Sequence, residues 1–156
     1  MPPKLPAMVR AMVEGDLGFV YSEWIKFLGN TRPWGDPPGE EQPDRRVDRP
    51  WFCAAQHALC NVLLRRGEVL VACNPDDAGH IYGVIVFEPG PRTLHWLFVK
   101  ADLREQGLGS RLMRAAFSDF GEEIAYTVRT RPIRYHEQRW HLRFDSHRLA
   151  EGKCPH

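Results

Sequence analysis

The segment Arg104-Glu-Gln-Gly107-Leu-Gly109-Ser110 carries the residue types needed to hold a phosphate. Two glycines one residue apart let backbone N–H groups approach an anion with no side chain in the way. An amphipathic helix is predicted to follow at once, with Leu108, Leu112, Met113, Ala116 and Phe117 at helical spacing. Its N-terminus would add unpaired amides and the positive end of the helix dipole, which suit a phosphate or pyrophosphate. A dinucleotide fingerprint would need a third glycine where Leu112 stands. A Walker loop would need Lys followed by Ser or Thr after its second glycine, and no such pair follows. The pattern that is met is Arg or Gln, two residues, Gly, one residue, then Gly or Ala, placed behind a strand.

The elements that must position this loop are legible on both sides of it. Thr93–Val99 is aromatic and β-branched and reads as a strand, whose period of two puts Thr93, His95, Leu97 and Val99 on one face. Ala7–Val13 reads as a first strand, Asp16 as a helix N-cap and Leu17–Leu28 as a helix. Pro50 opens a second helix over Trp51–Arg66, with Gly67 as its C-cap. Strands are expected over Glu68–Cys73 and His80–Glu88, joined by turn chemistry over Asn74–Gly79, and a last strand over Glu123–Val128. The order is β-α-α-β-β-β-α-β, followed by a C-terminal tail.

Composition narrows the class. A chain of 156 residues, 43% hydrophobic and 26% charged, suits one soluble domain. A net charge of +1 argues against a dedicated, strongly basic nucleic-acid binder. No apolar run approaches the roughly 20 residues that cross a membrane, and Met1-Pro-Pro-Lys-Leu-Pro does not look like a signal peptide. Four cysteines, Cys53, Cys60, Cys73 and Cys154, make no dense disulfide framework, so a reducing, cytoplasmic setting is expected.

The strand, loop and helix around Arg104–Gly109 resemble the acetyl-CoA-binding motif of the GNAT superfamily of N-acetyltransferases, and the order of elements is similar too. The resemblance implies an α/β fold with a central mixed, mostly antiparallel sheet flanked by helices, as a single domain over residues 1–156. It implies direct transfer of an acetyl or other acyl group from CoA to an amine of a small molecule or a protein, with acetyl-CoA as co-substrate. Backbone atoms of Phe98 and Val99 would hold the pantetheine, and Arg104, Glu105, Gln106, Gly107, Leu108, Gly109 and Ser110 the pyrophosphate. A base is expected on the strand before the loop, which makes His95 the first candidate and Glu88, ending the preceding strand, the second. The family's N-x-x-A-x-x-x-Y pattern is absent; Tyr135 is the candidate acid, while Tyr126 lies within the last strand. The proline-rich stretch Thr31–Arg49 stands where relatives often border the acceptor, which leaves two readings, an expected lid on the substrate side or a mere connector, and loop placement favours neither.

Two further constellations stand apart. Cys53, His57 and Cys60 share one helix face but lack a fourth ligand at a recognisable spacing, so core packing is expected and no metal site. The tail holds Arg129, Arg131, Arg134, His136, Arg139, His141, Arg143, His147 and Arg148 with Tyr135 and Trp140 interleaved. A solvated face is the expectation, since Glu137, Asp145 and Glu151 dilute the charge. The same mixture keeps two alternatives to the enzyme open, a catalytically inactive binding protein of this fold and a nucleic-acid-associated modifier. Nucleic acid is the less favoured partner, and a homodimer stays open.

Overall fold

The computed structural model describes residues 5–30, 49–128 and 136–149, with side chains over 5–25, 57–128 and 136–148. The order is β1 (Met8–Ala11), α1 (Leu17–Asn30), α2 (Arg49–Arg66), β2 (Glu68–Asn74), β3 (Asp77–Glu88), β4 (Thr93–Val99), α3 (Leu108–Ala116), β5 (Ile124–Tyr126) and β6 (Leu142–Phe144). The strands form one mixed sheet in sequence order. β1 to β4 pair antiparallel, while β5 runs parallel to β4 and β6 parallel to β5.

Each face of the sheet covers its own core. On one side α3 lays Leu108, Leu112 and Met113 against Ile85, Phe87, Leu94 and Tyr126, with Trp140 and Leu142 closing the far end. On the other, Val20 and Trp24 of α1 and Cys60 and Leu63 of α2 cover Val69, Val84, Val86 and Trp96. Trp24 and Trp96 lie stacked, their centroids 5.4 Å apart. Such burial is the main favourable term for a domain of this size.

Several expectations change in detail. Asp16 does not cap α1. It sits in the short 3-10 turn before the helix and reaches backward, accepting from the Val13 N–H at 2.9 Å and from Arg10 Nη1 at 2.7 Å. That ion pair holds the Asp16 carboxyl below its ordinary range. The turn expected over Asn74–Gly79 shrinks to two residues because Asn74 pairs directly with Asp77, so β3 begins earlier. β5 is shorter than expected. The tail contributes a sixth strand that was not expected: Arg139, His141, Arg143 and His147 are exposed, in keeping with a solvated face, while Trp140 and Leu142 are buried. Their alternation with Phe144, against His141 and Arg143, is the period of a strand hidden among charges.

The largest correction lies in β4. Val86 pairs with Trp96 but Phe87 pairs with Leu94, which leaves His95 as the extra residue of a β-bulge. The face shared by alternate residues therefore switches at the bulge. Leu94, Leu97 and Val99 belong to the α3 side, whereas Trp96 and Phe98 pack on the α1 and α2 side. Thr93 and His95 do not continue the row of Leu97 and Val99.

Gly83 lies where β3 must pass β4 closely. A Cβ there would stand 2.6 Å from the Phe98 carbonyl oxygen and 3.2 Å from Leu112 Cδ1. Overpacking of this kind destabilises by about 1–3 kcal/mol. Gly83→Ala should accordingly lower the urea unfolding midpoint, and an unchanged midpoint would show that β3 and β4 can separate freely.

Candidate functional site

The bulge determines where β4 goes. Before it, Thr93 and Leu94 pair with Ala125 and Tyr126, and the Thr127 N–H donates to the Leu94 carbonyl at 3.1 Å. Beyond it, β4 follows β3 alone. Among the described residues, Trp96–Val99 face no strand on the β5 side. We refer to this edge of β4, whose backbone groups an extended ligand could pair with, as the wedge.

The wedge runs into the loop. After a 3-10 turn over Ala101–Leu103, Glu105 adopts φ 70° and Gly107 φ 78°, so two left-handed residues turn the chain into α3. Gly107 does this without strain, whereas Glu105 holds a conformation that costs a side-chain-bearing residue roughly 1 kcal/mol. Arg104 does not point into the turn; its Nε donates to the Val99 carbonyl at 3.3 Å and ties the loop to the end of β4. The bond from Arg111 N–H to the Gly107 carbonyl at 3.1 Å opens the helix ladder. The N–H groups of Leu108, Gly109 and Ser110 precede it, and Gly107 has no side chain to cap them. Unpaired amides of this kind suit an anion.

Gly109 differs from Gly107 in what the backbone asks of it. Unlike Gly107, it has no left-handed φ, and a Cβ on it would meet only Leu97 and Val99, both at 3.9 Å. Neither backbone angle nor crowding demands glycine, although glycine inside a helix costs about 1 kcal/mol relative to alanine. A Cβ would be tolerated there at ordinary contact distance from the end of β4.

On the α2 side of the bulge, four side chains form a buried chain of bonds. His95 Nε2 lies 2.7 Å from Glu88 Oε2 and its Nδ1 lies 2.9 Å from Thr127 Oγ1. Arg66 grips the same carboxylate with Nε at 2.9 Å from Oε1 and Nη2 at 3.1 Å from Oε2, and donates to the Arg148 carbonyl at 2.6 Å. Burial lowers the His95 pKa; the hydrogen bond to Glu88 opposes this and the Arg66 charge adds to it. The neutral ring then carries its proton on Nε2, donated to Glu88, while Nδ1 accepts from the Thr127 hydroxyl. Both nitrogens are engaged and the residue is 1% exposed.

Residues 65–144 match the family model described as an acetyltransferase (GNAT) domain. The chain belongs to the GNAT acetyltransferase family. The matched span contains the bulge, the wedge, the loop and α3. No curated protein matches the sequence. A proposed acetyl transferase from Pyrococcus furiosus shares the fold, with a TM-score of 0.58 at 14% identity over 86% of this chain and 91% of that one. A GCN5-related N-acetyltransferase from Rhodopseudomonas palustris gives a TM-score of 0.49 at 16% identity, over 74% of this chain and 66% of that one. A spermidine N-acetyltransferase from Vibrio cholerae, solved with CoA and spermine, gives 0.40 at 14%, over 70% and 60%. The chain covers less than two thirds of the length of these last two.

Within this GNAT chain the expected residues fall into two groups. Phe98 and Val99 line the wedge and Arg104–Ser110 form the loop, next to one another. His95 and Glu88 meet each other in the buried chain of bonds. Tyr135 and the expected lid over Thr31–Arg49 lie outside the described residues, apart from Arg49 at the start of α2. Tyr126 is buried, its hydroxyl donating to Glu137. The side chain of Cys53 is likewise outside the description. Its two expected companions diverge: Cys60 is buried, its thiol pushed up to about 12 by desolvation, whereas His57 is exposed and stacks on Tyr21. Arg66 and Thr127 were not singled out from the sequence. They lie 22 and 39 residues from Glu88 (88 − 66 and 127 − 88), and no local spacing could have joined them.

The lowered His95 pKa has a consequence for stability. The unfolded chain takes up a proton near pH 6.5 and the folded chain only at lower pH, so stability is full above that value and falls as pH drops through the window. His136, lowered by burial and by Arg139, acts in the same direction. Urea unfolding between pH 7.5 and 5.5 should show a falling midpoint, with the slope reduced in His95→Gln and separately in His136→Gln. A slope unchanged by His95→Gln would contradict the buried neutral imidazole.

Proposed function

We propose that the chain transfers an acetyl or related acyl group from CoA to an amine of a small molecule or a protein, by direct attack. The observation that carries this is the uncapped amide end of α3, with a glycine at Gly109 that neither backbone angle nor a Cβ clash requires. The N–H groups of Leu108, Gly109 and Ser110 would hold the pyrophosphate, in a turn shaped by Arg104, Glu105, Gln106 and Gly107. Backbone groups of Phe98 and Val99, on the unpaired side of β4, would hold the pantetheine arm. Acetyl-CoA supplies an activated thioester carbonyl for the amine to attack.

For the proton steps the buried chain of bonds offers one entrance. The Glu88 side chain is 11% exposed and that of His95 is not exposed at all. Glu88 is assigned the proton leaving the amine, received through water, and His95 and Arg66 hold its carboxylate in place. His95 is then a positioning residue, and Tyr135 remains the candidate donor to the departing thiolate. A cytoplasmic, reducing setting accords with Cys60 and Cys73 being buried free thiols.

Acetyl-CoA at saturation should raise the melting temperature by several degrees, since a ligand that binds only the folded chain stabilises it. Gly109→Leu should still unfold cooperatively and should lose that rise. Absence of a rise in the parent would remove the cofactor assignment, and a rise retained in Gly109→Leu would place the ligand elsewhere. If the parent binds CoA but acetylates no member of a panel of primary amines, the chain is a binding protein. Where turnover is found, Glu88→Gln should lower kcat at least tenfold and alter the pH–rate profile, with partial recovery in Glu88→Asp. A changed KM with an unchanged pH profile would reduce Glu88 to a structural role.

A further inference from the structure

The Arg- and His-rich tail is not absorbed by this proposed function, yet one of its arginines stands at the loop. Trp140 anchors the turn between His136 and β6 in the α3-side core, with His136 stacked on its ring at 4.5 Å. The neighbouring residue, Arg139, is thereby held outward. Its guanidinium lies 5.7 Å from the Trp140 ring, and its Nη2 is 3.3 Å from Ser110 Oγ, in the first turn of α3.

This is the wrong end of a helix for a cation. The amide end is positive, so an arginine parked there is repelled unless an anion lies between. The first turn holds no acidic residue to serve as that anion. Arg139 has no carboxylate partner within ion-pair distance among the described residues, whereas Arg143, in the same tail, is paired with Glu123 at 2.6 Å. A planar fork of N–H donors beside three uncapped amides matches a phosphate group.

We propose that Arg139 is a phosphate-binding residue of the acyl-CoA site, supplied by the tail across Ser110. This rests on the CoA assignment above. The shared chemistry is a phosphate monoester or diester, and CoA offers both, as the 3′-phosphate of its ribose and as its pyrophosphate. The tail would thus determine how tightly the nucleotide end is held, leaving the acyl end to the wedge.

The test is calorimetric titration of the full chain with CoA and with dephospho-CoA, which lacks the 3′-phosphate, and needs no turnover. Arg139→Gln should weaken CoA about tenfold, a loss typical of one charge-assisted hydrogen bond. Arg139→Lys should recover part of it, because charge returns without the fork. An equal loss for both ligands assigns the contact to the pyrophosphate, and a loss confined to CoA assigns it to the 3′-phosphate. Arg143→Gln, which removes the same charge from the same tail, should bind like the parent. Unchanged CoA affinity in Arg139→Gln, or an equal loss in Arg143→Gln, would overturn the proposal. Failure of the parent itself to bind CoA would instead defeat the cofactor assignment.

Discussion

The extra residue in β4 is the constraint on which the site depends. A regular strand would keep its hydrogen bonds to both neighbours along its whole length and leave no room for a ligand. The bulge at His95 ends the pairing with β5 after Leu94 while keeping the pairing with β3 intact. A bulge in the middle of a sheet must dispose of the side chain it extrudes. Here the imidazole is bonded at both nitrogens, to Glu88 on β3 and to Thr127 just beyond β5. The same bonds join β4 to β3 and to the residue just after β5, at the point where the pairing of β4 with β5 ends. Arg66 ties that point to the end of α2.

Two glycines in the loop stand under different constraints. Gly107 is required by backbone geometry, because its φ is left-handed at the entrance to α3. Gly109 is required by neither angle nor neighbours, and its absence of a side chain matters only if something approaches the amides. Glu105 has a side chain in a conformation where glycine would be easier. The loop is therefore shaped by more than flexibility.

Most of the fold was legible because local rules and tertiary packing agree. Thr93–Val99 carries the β-branched and aromatic residues of a strand, and Leu108, Leu112 and Met113 the spacing of a buried helix face; both elements appear where expected. What escaped was of two kinds. The bulge leaves no mark in a single strand, since it exists only as a register between β3 and β4, and it reversed the face expected for Leu97 and Val99. β6 was hidden by composition: arginine and histidine between Trp140, Leu142 and Phe144 look like a solvated segment until the alternation is weighed against the charge. The loop residues came from a contiguous motif and could be read together. The companions of Glu88 come from across the sheet, and only the folded chain brings them within reach.

The two cores draw on different stretches of the chain, and this bears on the order in which they can form during synthesis. The core under α1 and α2 takes its described residues from Met12 to Phe98. The core under α3 includes Trp140 and Leu142. As the chain leaves the ribosome, the first core can close while the second still lacks its last wall. Until that wall arrives, the apolar face of α3 is covered from one end only. The loop before α3 thus leads into a helix whose seat is completed last.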